Sequence, residues 1–377
     1  MIRIVHVITG LAADGAERMM LNLVTRMDSE RFTNEVISLS TLGDLGTKLQ
    51  AAGIPVRALG LSKNPATFAA LLRMRRLFRQ SPPDVVQTWM YHADLMGGVI
   101  AQWAGLHRVF WGIHHSNLGF ATNKFLTLAT AKTCALLSGA VPLRIVCCSE
   151  AAREAHTAFG YQDAKTELIP NGFDTELFRP DAQARKAMRD ELGASEEDQL
   201  VGLAARFHPD KDHGSFLKAA ETLLAQHPNA LFVLCGRGVH WRNPDFTLLL
   251  RQFELRDRVR LLDAIPNTQR FFAAMDVVVS SSRTEAFPLA VGESMACGVP
   301  CVVTNVGDSA LLVGATGITV PSGDSAALAA AVEKLLAGGP TFRNDLGAAA
   351  RRRIQERFSL DSVVAHYQEL YTRAMLN

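Results

Sequence analysis

Two glutamates and two cations carry the strongest chemical signal in this chain. Glu285 and Glu293 form a Glu-x7-Glu pair in Glu285-Ala286-Phe287-Pro288-Leu289-Ala290-Val291-Gly292-Glu293. An apolar run, Val277–Ser281, ends just before it. Pro288 suits the first turn of a helix, and Gly298-Val299-Pro300 stops one. Glu285 then falls in the loop before the helix, and Glu293 is the only charge inside it. Gly292, Ser294 and Ala296 are small, so a ligand can come close. A carboxylate there can accept from the paired hydroxyls of a sugar. The free amides of the first turn can hold a phosphate. A solvated helix face has the same spacing, and only the strand–loop–helix setting separates the two readings. Arg206 and Lys211 share one loop after the run Leu200–Ala205. Two such cations can neutralise a departing diphosphate; two solvated surface charges look the same in sequence. His114 and His115 follow the run Val109–Ile113. An imidazole there can exchange a hydrogen bond near neutral pH or complete a core.

The first loop, Thr9-Gly10-Leu11-Ala12-Ala13-Asp14-Gly15, feeds a helix-like segment. Its glycines do not make Gly-x-Gly-x-x-Gly, so a dinucleotide fingerprint is not implied. The loop reads either as a tight turn or as a cradle of amides for an anion or a hydroxylated ligand.

The elements that must hold these groups follow from periodicity. Short apolar runs at Ile2–Ile8, Glu35–Leu39, Val56–Leu61, Val85–Trp89, Val109–Ile113 and Ile145–Ser149 alternate with longer amphipathic segments. The pattern repeats at Leu200–Ala205, Leu231–Cys235, Val259–Leu262, Val277–Ser281 and Cys301–Thr304. Near-continuous apolar strands between helices imply parallel sheets covered on both faces. The fold class is therefore α/β, with two doubly wound Rossmann-like domains facing across a cleft. The length of 377 residues fits two domains. The boundary is expected near Asn171–Pro180, giving 1–175 and 176–359, with Leu360–Leu376 a further helix.

Composition narrows the rest. The chain is 48% hydrophobic and 20% charged, which excludes a disordered or fibrous protein. Lys plus Arg is 39 and Asp plus Glu is 37, so nothing general points to nucleic acid. The six cysteines make no Cys-x-x-Cys pair and read as buried thiols in a reducing cytoplasm. The first ten residues are too quickly interrupted for a signal peptide. No apolar stretch is long enough to span a bilayer. Phe68–Arg79, with arginines at 73, 75, 76 and 79 and with Phe68, Leu71, Leu72 and Phe78 as its greasy surface, is a basic amphipathic helix. It can lie on the inner face of an anionic membrane, or pack on its own sheet with the arginines in water.

In this order and spacing the clusters resemble glycosyltransferase family 4, the retaining enzymes of the GT-B fold. Gly15-Ala16-Glu17-Arg18, Ser149-Glu150, Ile169-Pro170-Asn171-Gly172-Phe173, Arg206 with Lys211, Glu285 through Glu293, and Gly298-Val299-Pro300 carry the likeness. It implies that Glu285 and the amides of Phe287 and Leu289 hold the donor sugar. Glu293 would bind the ribose, Arg206 and Lys211 the diphosphate, and His114 would lie near the sugar. Gly15 would approach the phosphates or the acceptor, with Asp14 and His115 toward the acceptor. The helix 360–377 would cross back to the first domain. The implied reaction moves a hexose from a UDP- or GDP-sugar to a glycan or lipid-linked acceptor for cell-surface polysaccharide, with no metal and no cofactor. The competing readings are a sugar-nucleotide epimerase of the same fold and a non-catalytic sugar-binding protein.

Overall fold

The computed structural model describes every residue but 13–14, 62–65, 120–123, 256 and 377. The chain divides into two units, Met1–Gly172 with Leu360–Asn377, and Phe173–Ser359. The division falls three residues before the boundary read from the sequence.

The first unit holds β1 (Ile2–Ile8), β2 (Phe32–Ser38), β3 (Val56–Ala58), β4 (Val85–Trp89), β5 (Val109–Ile113), β6 (Arg144–Cys147) and β7 (Thr166–Leu168). All pair in parallel in the order β3-β2-β1-β4-β5-β6-β7. The second holds β8 (Gln199–Ala204), β9 (Ala230–Cys235), β10 (Val259–Leu261), β11 (Val277–Ser280), β12 (Cys301–Thr304) and β13 (Ile318–Val320). These are also parallel, in the order β10-β9-β8-β11-β12-β13. The order reverses between β1 and β4 in one sheet and between β8 and β11 in the other. Such switch points open a crevice at the carboxyl ends of the strands, where ligands bind in this architecture.

The apolar strands are buried as their composition requires; every residue of β4, β5 and β9 is buried. Helix Gly15–Arg26 turns Met19, Met20 and Leu23 inward on one stripe. The last helix, Leu360–Leu376, adds Val363, Tyr367 and Tyr371 to the same core. Tyr371 donates to Gln87 Oε1 at 2.9 Å, and Arg108 donates to the carbonyl of Ala374 at 2.8 Å. That helix is thus an integral layer of the first unit.

Several elements differ from the sequence reading. The run Val56–Leu61 is a strand only to Ala58, and β7 and β13, three residues each, give no periodic signal. Helix Gly339–Arg357 buries only a thin stripe, Arg343, Gly347, Ala350 and Ile354, and at Gly347 a methyl would overlap the Gly298 carbonyl. Arg351 on the same helix donates to the carbonyls of Thr175 and Phe178, both at 3.0 Å. Pro288 stands just outside its helix, at the N-cap.

The helix that carries Glu293 is fixed by an aromatic stack. Phe173 lies on Phe287 with ring centroids 6.1 Å apart, and Phe287 on Phe358 at 5.5 Å. Gly292 faces the Phe173 ring so closely that a methyl would overlap it. Helix propensity alone would make Gly292→Ala stabilising by about 1 kcal/mol. Overpacking against a ring buried in this stack reverses the sign, and the variant is expected to be destabilised by about 1–3 kcal/mol. The urea unfolding midpoint of the purified variant checks this; a midpoint above wild type would mean that the stack yields.

Candidate functional site

In the second unit the carboxyl ends of β8 and β11 bring together two segments far apart in sequence. After β8 the chain runs through Arg206, which is exposed, to a short 3-10 turn, Pro209–Lys211. Asp212 follows with φ 44° and caps helix His213–Gln226, its carboxylate accepting from the amide and hydroxyl of Ser215. After β11 the chain runs through Ser281–Glu285. The two loops are laced together. Ser281 Oγ donates to the Lys211 carbonyl at 2.9 Å, the Arg283 amide to the Asp210 carbonyl at 2.7 Å, and Arg283 Nε to Asp212 Oδ2 at 2.9 Å.

The functional consequence is the meeting of Lys211 and Glu285. Lys211 Nζ lies 2.5 Å from Glu285 Oε1, and Ser282 Oγ donates to the same oxygen at 2.7 Å. Both side chains of the ion pair are largely buried, at 23% and 14% exposed, so solvent screens it less than a surface pair. The loop after β12 braces the glutamate from below. Gly307 has φ 53°, and a methyl there would overlap the Glu285 carbonyl. The Asp308 amide donates to the Ala286 carbonyl at 3.0 Å. Phe287 is buried in the aromatic stack, and Leu289 opens the helix Leu289–Ala296. Glu293 is half-buried on that helix. Burial pushes the thiols of Cys235, at the end of β9, and Cys297 up to about 12, and the Glu293 carboxylate adds to both shifts.

The loop after β9 is pinned by a residue that the sequence does not advertise. Asp263 holds φ 47°; its carbonyl accepts from Gly236 at 2.7 Å, its carboxylate from Gly238 at 3.0 Å, and its amide donates to Val239 at 2.9 Å.

In the first unit Gly15 is the first residue of its helix, at the carboxyl end of β1. Asp14 lies outside the described residues. His114 follows β5 and stacks on Trp89, the last residue of β4, with ring centroids 5.1 Å apart. Burial lowers its pKa to about 4, with the Asn171 side chain acting in the opposite direction, so the ring is neutral at pH 7. His115 is half-buried beside it.

The support beneath His114 escapes the sequence reading. Trp89 Nε1 donates to His6 Nδ1 at 3.3 Å, and His6 Nε2 lies 3.0 Å from Asn34 Oδ1. Accepting at Nδ1 obliges His6 to donate from Nε2, which fixes a neutral tautomer. Burial holds its pKa near 4. Met90, directly after Trp89, takes φ 71°, a costly conformation for a residue with a side chain. A histidine amid the apolar residues of β1 is the one sequence signal that could have led here.

Among the described residues no group of three or more His, Cys, Asp or Glu is arranged to hold a metal ion. No described helix is long and apolar enough to cross a membrane.

Comparison with known proteins covers both units. The sequence model described as Glycosyltransferase Family 4 matches residues 13–177, and that described as Glycosyl transferases group 1 matches residues 198–338. The UDP-Gal:alpha-D-GlcNAc-diphosphoundecaprenol alpha-1,3-galactosyltransferase of Escherichia coli is 25% identical over 83% of this chain and 81% of its own. The D-inositol 3-phosphate glycosyltransferase of Acidothermus cellulolyticus is 26% identical over 96% of this chain and 86% of its own. Among solved structures, Anabaena HepE in complex with UDP and glucose superposes with a TM-score of 0.85. Its identity is 20%, and the match covers 99% of this chain and 100% of that one.

Proposed function

Because the chain belongs to glycosyltransferase family 4 and has the GT-B fold, we propose that it moves a hexose from a UDP- or GDP-sugar to a glycan or lipid-linked acceptor. The transfer retains configuration at the anomeric carbon and needs no metal. The observation that carries this reading is the meeting of Lys211, Glu285 and Ser282 at the β8/β11 switch point. An ammonium has three donors. One engages Glu285, which leaves capacity for a phosphate oxygen. Arg206, at the start of the same loop, supplies a second positive charge.

In this mechanism the bond between the anomeric carbon and the diphosphate oxygen breaks as negative charge grows on the diphosphate. Lys211 and Arg206 stabilise that charge. The acceptor hydroxyl attacks from the face that the diphosphate leaves, and its proton passes to the departing oxygen. Glu285, with the amides of Phe287 and Leu289, holds the sugar hydroxyls. Glu293 accepts from the ribose. His114, neutral at pH 7, offers an N–H to the sugar rather than a charge. Gly15 approaches the donor phosphates or the acceptor, and Asp14 and His115 serve the acceptor side. The E. coli relative's name specifies UDP-Gal and a diphosphoundecaprenol-linked acceptor, which supports a nucleotide-sugar donor and a lipid-linked acceptor here.

If Glu293 binds the ribose, Glu293→Ala leaves the ribose hydroxyls without their charged acceptor. Donor affinity is expected to fall by about 1.5–3 kcal/mol. Calorimetric titration with UDP and GDP measures it. Unchanged affinity for both nucleotides in a folded variant removes Glu293 from the donor site.

A further inference from the structure

We propose that the outer face of three adjacent helices in the first unit, Ala66–Gln80, Tyr91–Trp103 and Phe125–Leu137, docks on an anionic lipid bilayer. This deepens the reading that the acceptor is carried by a lipid, and rests on it only for its purpose.

The sequence alone points to the first helix and counts Phe78 in its greasy surface. The structure corrects this: Phe78 is buried with Met74 in the core, and Leu71 packs against that core. What remains outward on that helix is Phe68, Leu72 and the row Arg73, Arg76 and Arg79, at the i, i+3 spacing of one helix face. The neighbouring helices continue the surface. Trp103 is 51% exposed, Phe125 76% and Leu136 78%. Arg75 lies over the Trp103 ring, 4.1 Å from its centroid, which ties the first helix to the second across this face.

The charge on the face has one sign. The three helices contain the four arginines and Lys132, and their only acid is Asp94. Asp94 is fully buried and turned inward, where Thr88 donates to it. A protein partner would bury such apolar groups as one dry patch. Here they stand apart on three helices, with the arginines on the first and Lys132 between Phe125 and Leu136 on the third, and the stems of such cations can lie along a hydrocarbon surface while their heads reach phosphates. Trp103 is of the type that settles at the headgroup level. Isolated apolar anchors in a field of cations match the chemistry of an anionic membrane surface.

Sedimentation with phosphatidylglycerol–phosphatidylcholine vesicles tests the proposal on the full chain. Wild type is expected to pellet with these vesicles at low salt, to remain in solution with pure phosphatidylcholine, and to be released by salt. The triple variant Arg73→Gln, Arg76→Gln, Arg79→Gln should lose partitioning on the order of 100-fold. The double variant Phe125→Ser, Leu136→Ser, which keeps every charge, should also lose it. Wild type left in the supernatant overturns the proposal, as does wild-type partitioning by the triple variant. Full binding by the double variant also overturns it, because charge without insertion describes a polyanion site and not a bilayer. The thermal shift of each variant with UDP-sugars and GDP-sugars is read alongside. It should match wild type, which verifies folding and leaves the donor reading to stand or fall separately.

Discussion

Lys211→Ala is expected to lower turnover by about 10²–10³-fold at saturating donor, the cost of losing one preorganised cation at a developing negative charge. The fold should survive, because the loop is held by its backbone. The Lys211 amide and carbonyl engage His208 and Ser281, and neither bond needs the ammonium. Lys211→Arg keeps the charge but replaces a compact ammonium with a planar fork, so it should recover only part of the rate. Glu285→Gln keeps the Ser282 contact and removes the negative partner, which separates a sugar-holding role from one that merely steers Lys211. In that variant KM for the donor sugar should rise more than kcat falls. Steady-state release of UDP or GDP gives both parameters. Wild-type turnover in folded Lys211→Ala removes this loop from the chemistry.

Acid is expected to unfold the first unit early. Burial holds His6, His114 and His156 near a pKa of 4, against 6.5 for an exposed imidazole. His156 is also held at both ring nitrogens, with Nδ1 2.7 Å from the Ala152 carbonyl and Nε2 2.8 Å from the Tyr91 hydroxyl. As pH falls from 6.5 to 4, the unfolded chain takes up protons that the folded chain refuses, so stability falls with pH in that window. Each ring contributes on the order of 3 kcal/mol. Asp94 opposes them. Burial raises its pKa to about 7, so the folded state keeps a proton that the unfolded state releases above the ordinary carboxyl value of 3.8, and stability falls as pH rises toward 7. Three rings against one carboxyl leave acid as the losing side. The urea midpoint, followed by tryptophan fluorescence, should drop steeply between pH 6.5 and 4.5. Asp94→Asn should raise the midpoint at pH 8. A flat profile from 6.5 to 4.5 contradicts the assignment of neutral, buried imidazoles.

The β8/β11 cluster was legible in the sequence because each part carries a local signal. Apolar runs of four to six residues gave β8 and β11, and Gly298-Val299-Pro300 gave the end of the helix that bears Glu293. That Lys211 touches Glu285 was not legible, since it depends on the strand order, which places β8 beside β11. The supports were hidden for a related reason. The positive φ of Met90 and of Asp263 is imposed by packing, and neither residue type announces it. Trp89 reads as one more apolar residue ending a strand, and only the fold reveals that His6 and His114 meet its two aspects. Phe78 was misread because a helix of alternating Arg and apolar residues fits two faces equally well until one is covered.

Sugar transfer from a nucleotide is read by incubating the protein with UDP- and GDP-sugars together with a lipid-linked or glycan acceptor. One donor should be consumed, with nucleoside diphosphate released in step with an elongated acceptor. The new linkage, read by NMR, should keep the donor's anomeric configuration, and a chelator should not stop the reaction. A linkage of inverted configuration would contradict the mechanism. Binding of nucleotide sugars with no diphosphate released from any donor, in the presence of acceptor, would contradict the account itself.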